Sequence, residues 1–175
     1  MNITQANTTD FEPIMAFYND VINRTPDMAI YARWKKKQHP TEQGIRAYIE
    51  EGAMYLYKES GQIVGAMAVT MYQGDDYHPI EWLQSLKDNE VAVIHILAVS
   101  PDYQGKGIGT MMISESIRLA KTNGMKGIRL DALASNTPAH KIYKNLGFEY
   151  RDKQHLFAEN TGWTDFFFFE YNREL

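Results

Sequence analysis

The 175-residue chain contains no cysteine. This excludes disulfide bonds, thiolate metal sites and a cysteine nucleophile, and it fits a reducing compartment. Positive charge is also scarce, since 18 Lys and Arg stand against 22 Asp and Glu for a net charge of −4. A nucleic-acid-binding protein normally needs a clustered basic face, and the basic run at residues 33–37 is best interpreted as solvated surface. We therefore expect no nucleic-acid partner.

Long apolar runs are missing as well. No stretch approaches the ~20 apolar residues of a membrane span, and residues 1–5 lack the charged and apolar regions of a signal peptide. The hydrophobic share of 44% and the charged share of 23% are those of an ordinary globular protein. Repeats, low-complexity segments and linkers are absent too. We expect one domain over residues 1–175, cytoplasmic and without a membrane partner.

Hydrophobic periodicity and turn residues predict the order of the secondary structure elements. Strands are predicted at residues 2–6, 54–59, 62–72, 91–99, 127–132, 148–157 and 164–173. Helices are predicted from a capping box at Thr9 and Glu12 through Ile22, over about 41–51, from the glycine-rich run to Asn123-Gly124, and over 138–146. Residues 25–40 and 73–89 are predicted to be irregular, with a short helix around 80–86. A hairpin turn at Ser60-Gly61, followed by a strand-helix-strand unit, indicates an α+β fold with a mixed sheet.

The most informative segment is the apolar strand at 91–99 together with the glycine-rich run at 104–109. A glycine turn that opens a helix directs backbone N–H groups and the positive end of the helix dipole to one point, which suits a phosphate. The spacing differs from an NTPase loop, because Lys106 lies between two glycines, and it is one residue short of a dinucleotide fingerprint. Asp131 lies about 20 residues further on, where a ribose-binding acid is expected. From these residues alone, a dinucleotide site and a plain tight turn both stay open.

Two longer patterns carry a resemblance to a known family. Gln104-x-x-Gly107-x-Gly109 and Asn136-x-x-Ala139-x-x-x-Tyr143-x-x-x-Gly147-Phe148 resemble the acetyl-CoA region of the GNAT N-acetyltransferase superfamily, and Ile63-Val64-Gly65 is a weaker match. The resemblance extends over nearly all of residues 1–173. It implies a central mixed, mostly antiparallel sheet of about seven strands with about four helices, splayed between the fourth and fifth strands.

The resemblance also implies acetyl-CoA as the cosubstrate, without a metal. In the family, the pyrophosphate rests on the amides of the glycine loop and the pantetheine arm lies along the end of the fourth strand. The cofactor-binding residues so implied are Leu97, Ala98, Val99, Gln104, Gly105, Lys106, Gly107, Ile108, Gly109, Thr110, Asn136 and Tyr143. The amide of Leu97 is the expected partner of the acetyl carbonyl.

Catalytic roles come from the same resemblance. Tyr143 is the implied general acid that faces the CoA sulfur. Because a phenol (pKa ~10) is a weaker acid than a thiol (pKa ~8.5), we expect it to donate a hydrogen bond or relay a proton. His95 matches a histidine that removes a proton in arylalkylamine acetyltransferases, and Glu81 is a second candidate base. The alternatives are a core position for Tyr143 and His95, an N-cap role for Asn136 and an exposed loop position for Glu81.

The expected acceptor is a primary amine, on a small molecule or a peptide. Direct attack in a ternary complex is favoured because the chain has no cysteine to form an acyl-enzyme. Tyr31, Trp34 and Trp82 lie in the segments that shape the acceptor pocket in this family, and the run Phe166–Phe169 is expected to be a buried strand. The alternative functions are a non-catalytic acyl-CoA sensor and a dinucleotide-binding regulator. Homodimers are common in the family, so a second copy is a further candidate partner.

Overall fold

A computed structural model describes residues 3–175, so Met1 and the first residue of the strand predicted at 2–6 lie outside the described residues. Seven strands form one sheet in the order β1-β2-β3-β4-β5-β7-β6. The strands are β1 (Ile3–Gln5), β2 (Met54–Glu59), β3 (Gln62–Thr70), β4 (Val91–Val99), β5 (Gly127–Leu133), β6 (Phe148–Ala158) and β7 (Gly162–Tyr171). The helices are α1 (Phe11–Arg24), α2 (Met28–Tyr31), α3 (Glu42–Glu50), α4 (Ile108–Thr122) and α5 (Thr137–Leu146).

The pairing of β4 with β5 is parallel, whereas the other neighbouring strands of the sheet pair antiparallel. Its register runs from Val91 opposite Gly127 to Ile94 opposite Leu130 and then ends. Both strands continue past that point, β4 as far as Val99. The two strands therefore splay at their C-terminal ends, as the sequence predicts, and their facing backbone edges are not paired with each other there.

The central strands are buried on both faces. Along β3, Met67 and Val69 belong to the apolar cluster beneath α4 and α5, while Ala66 and Ala68 belong to the cluster beneath α1 and α3. This alternation follows from the two-residue period of a strand. It also explains why β3 and β4 are almost wholly apolar in sequence. The predicted burial of the run Phe166–Phe169 holds for Phe168 and Phe169, which are buried because β7 lies between β5 and β6. Phe166 and Phe167 are only partly buried.

The first helix begins differently from the prediction. The capping box is formed by Asn7 and Asp10, not by Thr9 and Glu12, and it opens a short 3-10 helix that leads into α1. The Asn7 side chain accepts from the amide of Thr9 at 2.9 Å, and the Asp10 carboxylate accepts from the amide of Asn7 at 3.0 Å. Asparagine ranks above threonine as an N-cap, which accounts for the earlier start.

The segment 73–89 contains no helix at 80–86, which corrects the prediction. Backbone groups of this segment form hydrogen bonds with a buried ion pair instead of with each other. The pair consists of Arg129 on β5 and Glu170 on β7, and the Arg129 Nη2 atom lies 2.8 Å from the Glu170 Oε1 atom. The amide of Leu83 donates to Glu170 at 2.6 Å, and the carbonyl of Gln84 accepts from Arg129 at 2.7 Å. Tertiary partners have therefore replaced the local bonds of a helix. Residues 25–40 are not wholly irregular either, because α2 lies within them.

Candidate active site

The glycine run forms the turn between β4 and α4. Gly105 and Gly107 have φ angles of +75° and +81°, in the left-handed region that favours glycine. Gly107 is the N-cap of α4 and supplies no side-chain cap. The N–H groups of Ile108, Gly109 and Thr110 therefore lie at an uncapped, positive helix end. This end of α4 suits an anion such as a phosphate.

Two further contacts fix the position of this turn. The side-chain amide of Gln104 donates to the carbonyl of Val99 and to the hydroxyl of Thr25, both at 3.2 Å. On the sheet beneath α4, a Cβ at Gly65 would collide with the sulfur of Met112. Gly65 therefore lets α4 approach β3 closely, which gives a physical reason for the glycine of the third sequence match.

A groove of about 520 Å³ runs along the end of β4, the glycine turn and α5. We call it the outer groove. Its lining residues are Leu97, Ala98, Val99, Tyr103, Gln104, Gly105, Gly107, Ile108, Gly109, Thr110, Ile113, Asn136, Pro138, Ala139, Ile142 and Tyr143. All the cofactor-binding residues predicted from the sequence line it except Lys106, whose ammonium group lies over the ring of Tyr103 at 4.6 Å.

A β-bulge lies in β4 beside this groove. Ala66 of β3 is opposite Ala98 and Ala68 is opposite His95, so Ile96 and Leu97 together face a single residue of β3. Ile96 has a φ angle of +46°, which is strained for a β-branched residue. The hydroxyl of the buried Tyr18 donates to the carbonyl of Ile96 at 2.8 Å. Leu97 has no register partner on β3 or on β5, so its amide is free of the usual strand pairing.

We expect Tyr18→Phe to loosen the bulge. The change removes the hydroxyl and leaves the partly buried carbonyl of Ile96 without this partner, which costs about 0.5–1.5 kcal/mol of unfolding free energy. Urea denaturation measures this loss. An unchanged denaturation midpoint would show that Tyr18 does not stabilise the bulge.

A second cavity of about 220 Å³ lies between the splayed ends of β4 and β5. We call it the inner cavity. Its lining residues are Tyr31, Ala32, Trp34, His39, Tyr48, Ile94, His95, Ile96, Leu97, Leu130, Asp131, Ala132, Leu133, Asn136, Tyr143, Ala158, Asn160, Thr161 and Phe166. Leu97, Asn136 and Tyr143 line both spaces. Molecules bound in the outer groove and in the inner cavity would therefore meet at these residues.

A sequence profile described as the acetyltransferase (GNAT) family matches residues 16–148, more than half of the chain. The chain belongs to the GNAT family. An acetyltransferase of this family from Streptococcus agalactiae superposes with a TM-score of 0.76 at 19% identity, covering 99% of this chain and 96% of that one. A putative acetyltransferase from Salmonella typhimurium, solved with acetyl-CoA, gives a TM-score of 0.69 at 19% identity, covering 97% and 92%. These likenesses support the fold.

Two curated relatives illustrate the range within the GNAT family. An uncharacterised N-acetyltransferase of Methanocaldococcus jannaschii is 32% identical over 59% of this chain and 42% of that protein. An L-methionine sulfoximine/L-methionine sulfone acetyltransferase of Pseudomonas aeruginosa is 24% identical over 98% of this chain and 94% of that protein. The chain spans only about two fifths of the first curated relatives it matches. No helix within residues 3–175 has the length and apolar character needed to cross a membrane.

Tyr143 of this GNAT protein lies on α5 and packs against Phe169, with ring centroids 5.5 Å apart. Burial raises the pKa of its hydroxyl, so the phenol stays protonated at neutral pH. The hydroxyl forms no side-chain hydrogen bond among residues 3–175. Every side-chain polar atom of these residues that is fully inaccessible has a partner, so the Tyr143 hydroxyl must keep some accessible surface. The hydroxyl is therefore open to the adjoining cavity space. Tyr143 belongs to the core and to both cavities at once.

His95 faces the inner cavity and stacks on Tyr48, with ring centroids 5.6 Å apart. Burial lowers its pKa to about 4, so the ring is neutral at pH 7. Its Nε2 atom lies 3.0 Å from the hydroxyl of Thr70, which itself donates to the carbonyl of Tyr72 at 2.8 Å. The Thr70 oxygen therefore accepts from Nε2–H. This hydrogen bond assigns the proton to Nε2 and leaves Nδ1 as an acceptor.

The other predicted residues divide between two places. Tyr31 and Trp34 line the inner cavity, but Glu81 and Trp82 line neither space. Trp82 stacks on Tyr77 at 5.7 Å between ring centroids, and the backbone carbonyl of Glu81 accepts from Arg151. Both belong to the anchored segment 73–89. The structure therefore does not bring Glu81 to the inner cavity, where a base would be needed.

Asn136 has the N-cap geometry that the sequence pattern indicates. Its side-chain oxygen accepts from the amide of Ala139 at 3.4 Å, and the residue also lines both cavities.

Asp131 lines the inner cavity, a position that the sequence does not predict, since the sequence pattern indicates only a possible ribose ligand there. Asp131 does not line the outer groove, so the glycine turn and this acid do not form a dinucleotide site. An acid inside an apolar strand was the available signal.

Proposed function

We propose that this GNAT protein transfers the acetyl group of acetyl-CoA to a primary amine in a ternary complex, in the cytoplasm. The observation that carries the proposal is the meeting of the outer groove with the inner cavity at Leu97, Asn136 and Tyr143. Two reactants bound on either side of this point would be held in contact, which lowers the entropic barrier to their reaction. A covalent acyl-enzyme is not required.

The outer groove fits acetyl-CoA by its backbone chemistry. The uncapped amides at Ile108 to Thr110 suit the pyrophosphate, and the unpaired edge of β4 from Leu97 to Val99 suits the amide-bearing pantetheine arm. When bound, acetyl-CoA supplies an activated thioester. The Leu97 amide would donate to the acetyl carbonyl oxygen and stabilise the negative charge that develops there.

The proton balance assigns roles to two side chains. The amine nitrogen bonds to the acetyl carbon, the carbon–sulfur bond breaks, and one proton leaves the nitrogen while one reaches the sulfur. His95 at pKa about 4 is too weak a base to deprotonate a free ammonium group, which titrates near pKa ~10. The ammonium group must first lose one proton to water, because only the neutral amine has a lone pair with which to attack. His95 would accept the second proton as the new bond forms and the nitrogen becomes more acidic. Tyr143, protonated, would donate to the departing sulfur.

The names of the relatives support an amine acceptor without fixing its class. One relative acetylates L-methionine sulfoximine by its name. Another, from Salmonella typhimurium and 37% identical over 33% of this chain, is named for the alanine of ribosomal protein bS18. A small molecule and a protein terminus are both represented.

Thermal unfolding with acetyl-CoA, NAD or ATP tests the cosubstrate. At 100 times its dissociation constant a ligand stabilises by about 2.7 kcal/mol, which raises Tm by roughly 5–11 °C for a chain of this size. We expect this shift with acetyl-CoA and not with the other two. A shift with NAD or ATP alone would favour the dinucleotide-binding regulator. Binding of acetyl-CoA without thiol release to any amine would favour the sensor.

A further inference from the structure

The inner cavity carries one side chain with a formal charge among its lining residues, the carboxylate of Asp131. Asp131 lies on β5, just past the point where the register with β4 ends. The hydroxyl of Tyr77 donates to its Oδ1 atom at 2.6 Å, the only side-chain hydrogen bond that the carboxylate receives within residues 3–175. Every fully inaccessible side-chain polar atom of these residues has a hydrogen-bond partner, so Oδ2 keeps accessible surface, and Asp131 lines the inner cavity.

No positive side chain balances this carboxylate inside the cavity. Arginine and lysine do not occur among the lining residues, and the two histidines, His39 and His95, have their pKa lowered by burial. Burial also raises the pKa of Asp131 itself, which means that the charged form of this carboxylate is disfavoured in the cavity when no cation is bound. A bound ammonium group would supply the positive charge that favours it. A carboxylate on the acceptor would instead meet a like charge and no cation.

The size and walls of the cavity limit the rest of the acceptor. Its volume of about 220 Å³ is below the roughly 300–1,000 Å³ of pockets for drug-sized ligands. Aromatic rings of Tyr31, Trp34, Tyr48 and Phe166 line it, and such rings suit an apolar body and a cationic head. A space of this size suits a small molecule or a single residue rather than a longer segment of chain.

We propose that Asp131 binds the ammonium group of the acceptor through Oδ2, and that the acceptor is a small primary amine with an apolar body and no carboxylate. This inference rests on the proposed function, because it names the class of amine that the same site takes. Asp131 would thereby be a specificity-determining residue that attracts the cation and rejects amino acids. The bound ammonium group releases one proton to water before its nitrogen attacks, so the carboxylate selects the acceptor and the neutral amine reacts.

A matched pair of acceptors tests the inference. Phenethylamine and L-phenylalanine differ by one carboxylate, and a short peptide with a free N-terminus serves as a third acceptor. We expect kcat/KM for phenethylamine to exceed that for phenylalanine by at least about 100-fold, because like charges in an excluded site cost several kcal/mol. A comparable or larger kcat/KM with phenylalanine or the peptide would overturn the inference and leave the proposed function standing. No thiol release with any of a broad amine panel would overturn both.

Asp131→Asn isolates the charge, since asparagine keeps the shape and an acceptor for the Tyr77 hydroxyl. We expect kcat/KM for phenethylamine to fall about 100-fold, mainly through KM, and the preference over phenylalanine to shrink. The Tm shift with acetyl-CoA should stay, which shows that the variant is folded with an intact outer groove. Asp75→Asn, at a fully exposed carboxylate, is the matched control and should change neither constant. Unchanged phenethylamine kinetics in Asp131→Asn would contradict the role of Asp131.

Discussion

Tyr143→Phe is expected to lower kcat by about 100- to 10,000-fold, the usual contribution of a positioned proton donor. The hydroxyl is the one polar group of a side chain that otherwise packs against Phe148 and Phe169. Phenylalanine keeps that packing, so the fold should remain. The KM for acetyl-CoA should change little, because the backbone amides of the glycine turn would hold the phosphates.

Steady-state thiol release and an acetyl-CoA thermal shift separate the two roles of this residue. Tyr150→Phe is a suitable control, because Tyr150 is exposed and lines neither cavity. If Tyr143→Phe kept most of the wild-type kcat, the tyrosine would be a core residue, as its helical pattern alone indicates. The proton for the sulfur would then have to come from water.

Glu170→Gln is expected to reduce the free energy of unfolding by about 3–5 kcal/mol, since it leaves the buried guanidinium of Arg129 without its counter-charge. Both side chains are almost fully buried. One carboxylate oxygen accepts from Arg129 and the other from the amide of Leu83. The side-chain NH2 group of glutamine would face either the Arg129 guanidinium or the Leu83 amide, both of which are hydrogen-bond donors, so one of the two bonds would be lost. For a chain of this length, Tm should fall by roughly 6–20 °C.

Calorimetry or urea denaturation measures this effect directly. Glu159→Gln, at an exposed position, is the control and should change stability by no more than about 0.5 kcal/mol. A loss below about 1 kcal/mol in Glu170→Gln would mean that the pair does not anchor the segment 73–89. The same segment carries Tyr77, the partner of Asp131. The folded fraction of the variant should therefore bind its amine more weakly.

Local signals in the sequence predict much of the fold. The Ser60-Gly61 turn joins β2 and β3 as expected, since both residues have positive φ angles that a tight hairpin requires. The glycine turn and the Asn136 cap are equally local, so their positions follow from a few neighbouring residues. The capping box lies two residues before its predicted position, because Asn7 and Thr9 both have side chains that cap helices.

Long-range contacts account for what the sequence could not predict. The bulge at Ile96 has no glycine or proline to indicate it, and the hydroxyl that bonds it comes from Tyr18, far away in the chain. Segment 80–86 has some helical character alone, but Arg129 and Glu170 supply competing partners. Asp131 shares a cavity with His95 only because β5 lies beside β4 and diverges from it. Such juxtapositions depend on the order of strands in the sheet.

The most direct test of acetyl transfer uses acetyl-CoA labelled with carbon-13 in the acetyl group and phenethylamine. Mass spectrometry should find the label on the nitrogen of the amine, one acetylated amine for each CoA thiol released, and no label on the protein. Label recovered only in unreacted acetyl-CoA or in acetate, with phenethylamine and every other primary amine supplied, would contradict the account.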